Sequence, residues 1–172
     1  MDAGYGWRSS DEALAEVPDW GDTPLAWLED PLVPEDAEGC AAIRRHGGRP
    51  VGVGDEVTHI GTFRAHLDAG ALDVLRLDVP AIGGVTPARA VQALAAERGV
   101  PVSLHIYPEV SVHLAPLMPG TIVEAFDSVP GGNPLDPAHL LCTGGPALGA
   151  GTAVAPEEHG LGFALDWSRF LP

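Results

Sequence analysis

Residues 72–105 read LDVLRLDVPAIGGVTPARAVQALAAERGVPVSLH and contain two short apolar runs. The first run, 74–77, is rich in branched apolar residues and predicts a buried strand that ends on Asp78. The second run, 102–104, predicts another strand, which ends on His105. Each of the two predicted strands therefore ends on an ionisable residue.

The residues between these two runs predict a helix. We expect Thr86 to be its N-cap and Pro87 to lie in its first turn. The helix should run to about Arg98 and end at Gly99, a residue that favours the left-handed C-terminal cap. The segment is thus a β-loop-α-β unit, and parallel α/β folds build their sites at the carboxyl ends of the strands.

The same pattern continues along the rest of the chain. Further strands are predicted over 25–28, 51–54 and 121–123, and helices over 11–17, 36–45, from a Thr62 cap to Gly70, and over 109–114. From Ser128 onward, a Gly- and Pro-rich composition predicts an ordered but irregular segment.

The predicted strand ends recur at a nearly constant interval. Ionisable residues occupy them 19 to 27 residues apart, at Asp2, Glu29, Asp55, Asp78, His105 and Glu124. A βα unit takes about 30 residues, since eight of them make ~250. The predicted fold class is α/β: a partial TIM-type (β/α) barrel with parallel strands alternating with helices and an irregular C-terminal segment.

Composition excludes several classes of function. The 172 residues carry a net charge of −15, which argues against nucleic acid or a membrane surface as a partner. No apolar run approaches the ~20 residues of a membrane span, and no signal segment begins the chain, so we expect a cytoplasmic protein. All nine cationic residues are arginine, which excludes a Schiff-base or P-loop lysine within this chain.

Three carboxylates on consecutive strand ends predict a metal site. Adjacent parallel strands lie ~4.8 Å apart, so Asp2, Glu29 and Asp55 should converge. Three like charges at that distance raise one another's pKa unless a divalent cation neutralises them. Hard oxygen ligands favour Mg²⁺, with Mn²⁺ as the second choice. The alternative is that each acid is a helix cap or a solvated loop charge.

The next strand ends predict a general base. A carboxylate such as Asp78 beside His105 would hold one ring N–H and raise the basicity of the imidazole. The alternative is a structural histidine bonded to a backbone carbonyl. Glu124, on the last strand, would be an acid or hydrogen-bond donor facing the base, and otherwise an ordinary rim carboxylate.

Taken together, these motifs resemble the enolase superfamily, specifically its mandelate racemase branch. The resemblance covers essentially the whole chain and rests on an ordered set of motifs: Asp2-Ala3-Gly4, Trp27-Leu28-Glu29-Asp30-Pro31, Gly54-Asp55-Glu56, Asp78 with Ile82-Gly83-Gly84-Val85-Thr86, His105 through Tyr107-Pro108-Glu109 to His113-Leu114, Glu124 and Gly160-Leu161-Gly162. It implies that Asp2, Glu29 and Asp55 are Mg²⁺ ligands, that Asp78 and His105 form the base dyad, and that Glu124 stabilises the enolic intermediate. The implied reaction removes the proton α to a carboxylate.

The sequence also departs from the family pattern. Members of the family that this sequence resembles carry an N-terminal capping domain and a Lys-x-Lys strand before the first metal ligand, whereas here Asp2 is already that ligand. Gly4 replaces an Asn often found there, and Asp55 is shorter than the commoner Glu. We therefore expect residues 1–172 to form a single, incomplete enolase-like C-terminal barrel domain. A homo-oligomer or a complementing chain would supply the missing strands, because an open barrel exposes strand edges.

Three functional hypotheses follow from this reading. The first is a Mg²⁺-dependent dehydratase or racemase that acts on a small carboxylate substrate, a hydroxy acid of the sugar-acid class, once completed by the missing portion. The second is a catalytically inactive, truncated remnant that keeps the ligand set. The third is an acidic binding module without catalysis.

Overall fold

The computed structural model describes residues 1–126 and 141–169. The chain forms two compact units, Met1–Ser103 and Leu104–Pro172. Of the segment predicted to be irregular from Ser128 onward, residues 128–140 lie outside the described residues. Within the described part, no helix combines the length and the apolar character that crossing a bilayer requires.

Strands and helices alternate through the first unit. The strands are β1 (Leu28–Glu29), β2 (Val51–Val53), β3 (Val74–Asp78) and β4 (Val102–His105), the last of which ends in the second unit; the helices are α1 (Ser10–Glu16), α2 (Ala37–His46), α3 (Ile60–Ala69) and α4 (Val85–Glu97). The strand pairs β1–β2 and β2–β3 are parallel, with Leu28 opposite Val51 and Gly52 opposite Val74. Together with β5 (Ile122–Val123), the strands form one sheet in the order β1-β2-β3-β4-β5. The predicted α/β fold class is confirmed.

Apolar burial explains why these short segments form strands. Every residue of β2 is buried, and in β3 only Val74 is partly exposed. A strand that is covered on both faces reads as a continuous apolar run, as these do. Because β1, β2 and β3 run parallel, their carboxyl ends share one edge of the sheet.

Two helix starts differ from the prediction. The N-cap of α4 is Gly84, with φ of 105°, and not Thr86, which lies inside the helix. The N-cap of α3 is His59, whose Nδ1 accepts a hydrogen bond from the N–H of Gly61, and not Thr62. The threonine predictions are wrong because a ring nitrogen and a flexible glycine can begin a helix as a hydroxyl does.

The predicted helix ends agree better with the structure. Gly70 and Gly99 both adopt positive φ, 62° and 67°, immediately after α3 and just beyond α4. Glycine reaches this left-handed region without steric cost, which is why it marks helix ends in a sequence.

The second unit begins within β4 and continues with small elements. It contains helix α5 (Pro108–Ser111), a 3₁₀ turn over Ala115–Leu117 and strand β5. Four short strands form two antiparallel pairs: β6 (Cys142–Gly144) with β9 (Phe163–Leu165), and β7 (Ala147–Gly149) with β8 (Thr152–Val154). The segment predicted to be irregular thus contains local strand pairs between its turns.

His66 on α3 predicts an acid sensitivity of the first unit. Its side chain is 1% exposed and its Nε2 lies 2.8 Å from the carbonyl oxygen of Pro34, so Nε2 carries the proton and the ring is neutral. Burial lowers the pKa of His66 from its ordinary value. The unfolded chain takes up this proton near pH 6.5 and the folded chain only at lower pH, so stability falls as pH falls below about 6.5.

We expect His66→Gln to reduce this loss of stability, because glutamine keeps an N–H for the Pro34 carbonyl but cannot be protonated. The effect is at most about 1.4 kcal/mol per pH unit. Thermal melts between pH 7.5 and 5.5 measure it, with the exposed His46 changed to Gln as the matched control. If the parent and His66→Gln lost equal stability between pH 7.5 and 5.5, His66 would not be the source of the acid sensitivity.

Candidate active site

Three acidic residues follow neighbouring segments at one edge of the sheet. Asp2 forms a parallel bridge with Glu29, in which the N–H of Ala3 donates to the carbonyl of Glu29 over 2.9 Å. Glu29 pairs with Gly52 of β2, and Asp55 follows the end of that strand. The backbone therefore brings the three predicted ligands to consecutive positions at this edge.

The three side chains differ in their surroundings. Asp2 is exposed, and its Oδ1 accepts a hydrogen bond of 2.8 Å from the N–H of Gly4. Glu29 and Asp55 are each only 8% exposed. The structure thus places two predicted ligands in a buried environment and the third beside them at the surface.

Trp27 holds the carboxylate of Glu29 from one side. The indole Nε1–H donates to Oε2 of Glu29. The ring lies so close to Gly52 that a Cβ there would be 2.5 Å from the indole Cδ1. Glycine at position 52 is therefore what allows the indole to reach Glu29.

The guanidinium of Arg76 lies between Glu29 and Asp55. Its Nε is 3.0 Å from Oε2 of Glu29 and 3.0 Å from Oδ1 of Asp55. Its Nη1 donates to Oγ of Ser103 over 2.7 Å. Arg76 is 2% exposed, and a buried charge requires such partners. The sequence signal for this contact is the arginine within the apolar run of β3, and the sequence-based prediction assigned it no role.

The donor set fits a hard divalent cation, because all three predicted ligands are carboxylates and none offers nitrogen or sulfur. In the conformation described, the positive charge between two of them is that of Arg76. Over residues 1–126 and 141–169, no three histidine, cysteine, aspartate or glutamate side chains are grouped closely enough to hold a metal ion. Binding of an ion by all three would require their side chains to move together.

Asp30 is a second residue that the sequence analysis left without a role. Its side chain is 1% exposed, and its carboxylate accepts hydrogen bonds from the N–H groups of Gly54 (2.9 Å) and Asp55 (3.2 Å). Burial, followed by the charge of Asp55, raises the pKa of Asp30 to about 7. Asp30 thus fixes the backbone that presents Asp55.

Tyr5 connects the segment after Asp2 to the same loop. Its N–H donates to the carbonyl of Asp30 over 2.7 Å, and its hydroxyl donates to the carbonyl of Asp55 over 2.7 Å. Burial raises the pKa of Tyr5, so the hydroxyl keeps its proton and remains a donor. Tyr5 therefore connects the loops that carry all three predicted ligands, through hydrogen bonds to two backbone carbonyls.

The predicted base and its partners fall in both units. Asp78 ends β3 in the first unit, is 4% exposed, and accepts a hydrogen bond from the N–H of Ala81 over 2.7 Å. In the second unit, Nδ1 of His105 lies 3.1 Å from Oε2 of Glu124. The structure thus brings His105 and Glu124 together, whereas the pairing of Asp78 with His105 stays a prediction.

The contact with Glu124 indicates the tautomer of His105. A carboxylate only accepts, so Nδ1 of His105 carries the hydrogen and Nε2 of the neutral ring keeps its lone pair. The same Oε2 accepts the N–H of Ile106 over 3.3 Å, which fixes the carboxylate. In this tautomer, Nε2 is the ring nitrogen without a hydrogen.

Known proteins resemble this chain along nearly its full length. The family model described as "Enolase C-terminal domain-like" matches residues 1–169. The L-talarate/galactarate dehydratase of Salmonella typhimurium is 33% identical over 147 residues, which are 82% of this chain and 33% of that enzyme. The chain spans about a third of the length of the curated relatives it matches.

Solved structures agree with this assignment. A racemase from Streptomyces coelicolor A3(2) with bound magnesium has a TM-score of 0.84 at 28% identity, over 98% of this chain and 44% of that one. A mandelate racemase/muconate lactonizing enzyme from Polaromonas sp. JS666 has a TM-score of 0.83 at 28% identity, over 97% of this chain and 44% of that one. The predicted resemblance is confirmed: the chain belongs to the enolase C-terminal domain-like family.

Proposed function

We propose that this chain carries a Mg²⁺-dependent site that removes the proton α to the carboxylate of a hydroxy acid, with a sugar acid as the substrate class. Dehydration or racemisation then completes the reaction. The observation that carries the proposal is the position of Asp2, Glu29 and Asp55 on consecutive segments at one sheet edge, in a chain of this family. A relative named as a sugar-acid dehydratase and a structural neighbour named as a racemase support both outcomes.

Asp2, Glu29 and Asp55 would hold the ion. A bound Mg²⁺ would lower the cost of the negative charge that develops on the substrate carboxylate when the α-proton leaves. Trp27 would donate a hydrogen bond to the carboxylate of Glu29, and Asp30 would keep the Asp55 loop in place. Magnesium in the neighbouring Streptomyces structure supports this choice of ion.

His105 is the proposed base. With its Nδ1–H directed at Glu124, the proton is accepted at Nε2, and the resulting imidazolium is stabilised by the Glu124 carboxylate 3.1 Å away. Racemisation would return a proton to the substrate carbon, and dehydration would expel the neighbouring hydroxyl as water with the proton held by the imidazolium of His105. Asp78 is proposed to assist the same base, as the resemblance of its motif to the family implies.

Calorimetric titration with Mg²⁺ tests the metal site. We expect the parent chain to bind the ion and Asp55→Asn to bind it at least about tenfold more weakly, because the loss of even an outer-shell partner typically costs 10–100-fold. The matched control is Glu56→Gln, which removes one charge from an exposed neighbour. Equal affinity in the parent and in Asp55→Asn would remove Asp55 from the ligand set.

A second candidate is a chain that keeps the ligand set without turnover. The observation that favours it is that the cation lying between Glu29 and Asp55 is the guanidinium of Arg76. Binding of Mg²⁺ without α-proton exchange on any sugar acid would support this candidate.

A second copy of the chain or a complementing chain remains the proposed partner, and the cytoplasm remains the proposed location.

A further inference from the structure

Arg76 occupies the position at which two of the proposed ligands meet. One nitrogen, Nε, is shared by Oε2 of Glu29 and Oδ1 of Asp55 at 3.0 Å each. A second, Nη2, reaches Oδ2 of Asp55 at 3.5 Å. Both oxygens of Asp55 therefore face the guanidinium.

The guanidinium is held there by the fold and is not a mobile surface group. Arg76 is 2% exposed in the middle of β3, and its Nη1 is anchored by Oγ of Ser103, a fully buried residue. An arginine keeps its charge at every physiological pH, so this positive charge is permanent. A lysine could supply the charge but not the planar set of donors that reaches Glu29, Asp55 and Ser103 together.

Two buried carboxylates this close require a positive charge. Glu29 and Asp55 are each 8% exposed, and two buried negative charges side by side are unfavourable unless a cation lies between them. Arg76 supplies one positive charge to this pair. A divalent ion bound by the same carboxylates would experience the arginine as a like charge.

We propose that Arg76 is a built-in counter-cation of the metal site, which organises Glu29 and Asp55 before an ion binds and weakens the binding of that ion. Arg76 is thus a positioning residue, not a ligand. The inference rests on the proposed function, since it takes these two carboxylates as ligands. Its consequence is that the Mg²⁺ affinity of this chain is set by competition with an internal charge.

The test separates the charge of Arg76 from its shape. Mg²⁺ is titrated calorimetrically into the purified 172-residue chain, into Arg76→Gln, and into Arg76→Lys. Glutamine removes the charge but keeps an N–H donor, and lysine keeps the charge. We expect Arg76→Gln to bind Mg²⁺ about tenfold or more tightly than the parent, because Coulomb repulsion of a divalent ion is appreciable even at the dielectric constant of water. Arg76→Lys should stay within about threefold of the parent, since the repelling charge remains.

Thermal melting gives a second readout of the same competition. Without Mg²⁺, Arg76→Gln should melt at a lower temperature than the parent, because two buried carboxylates have lost their counter-charge. Added Mg²⁺ should raise the melting temperature of Arg76→Gln more than that of the parent, since stabilisation by a ligand grows with the logarithm of one plus the ratio of the Mg²⁺ concentration to Kd and is larger for the tighter binder.

A measurement on the unsubstituted chain protects the test from a variant that fails to fold. The Nε–H resonance of Arg76, identified by its loss in Arg76→Lys, should shift on Mg²⁺ titration with the same midpoint as the calorimetric curve. A resonance that does not move while the ion binds would overturn the inference.

The remaining outcomes distinguish the inference from the proposed function. If the parent binds Mg²⁺ and Arg76→Gln binds it equally or more weakly, the counter-cation role is wrong and the metal site stands. If neither the parent nor Arg76→Gln binds Mg²⁺, the metal site and the inference both fail.

Discussion

Gly54→Ala is expected to destabilise the first unit severely. A Cβ at position 54 would lie 2.0 Å from the carbonyl oxygen of Arg76 and 2.7 Å from Cε1 of Phe63. The φ of Gly54 is 141°, a conformation that side-chain-bearing residues rarely adopt. Overpacking typically costs 1–3 kcal/mol and positive-φ strain adds about 1–2, so we expect a loss of about 3 kcal/mol or more in the free energy of unfolding.

Urea denaturation of the purified chain measures this loss. The matched control is Gly48→Ala, since Gly48 also has a positive φ, 66°, but a Cβ there meets nothing within 4 Å. The control should lose only about 1 kcal/mol, from backbone strain alone. If Gly54→Ala were as stable as Gly48→Ala, the close approach of Gly54 to the Arg76 carbonyl would be wrong.

Gly54 is important because it precedes Asp55 directly. Its N–H donates to Asp30, and its missing side chain lets the chain pass close to the backbone of Arg76. Movement of this residue would displace a proposed ligand and the arginine that contacts it. We therefore expect Gly54→Ala to weaken Mg²⁺ binding as well as folding.

His105→Gln is expected to abolish proton exchange at the carbon α to the substrate carboxylate. General-base catalysis contributes about 10²- to 10⁴-fold, and glutamine offers no group of comparable basicity. Glutamine still carries an N–H that can donate to Glu124, so the local hydrogen bonding is the least disturbed. Proton NMR of a sugar diacid in deuterium oxide with Mg²⁺ follows the loss of the α-proton signal.

His113→Gln is the control for this substitution. Nε2 of His113 lies 3.2 Å from the carbonyl of Leu161, a contact that glutamine can also make. Exchange should therefore persist in this variant. Exchange that survives in His105→Gln would show that another group is the base.

The sequence predicted β2, β3 and β4 well because their signal is local, whereas the strand predicted over 25–28 forms only at Leu28–Glu29. The run that became β3 is apolar and branched, and it ends on Asp78 as predicted. The helix starts were predicted poorly, since Thr86 and Gly84 are both plausible caps and only the tertiary path selects Gly84. Short-range preferences of this size are easily overridden by packing.

The sequence predicted the acidic residues of the candidate site but not the arginine that compensates their negative charge. The positions of Glu29 and Asp55 follow from strand spacing, which the sequence displays. The position of Arg76 depends on how a side chain of the neighbouring strand β3 reaches Glu29 and Asp55. The apolar pattern of β3 does not indicate that contact. Asp30 was overlooked for a similar reason, because its partners are backbone N–H groups 24 and 25 residues away.

The indole of Trp27 makes the site optically observable. Its Nε1–H donates to the carboxylate of Glu29, so any rearrangement of that carboxylate changes the electrostatic field at a fluorophore that the chain already contains. The other three tryptophans, Trp7, Trp20 and Trp167, lie elsewhere in the sequence. The emission spectrum of the natural protein therefore contains one contribution, that of Trp27, which responds to the state of Glu29.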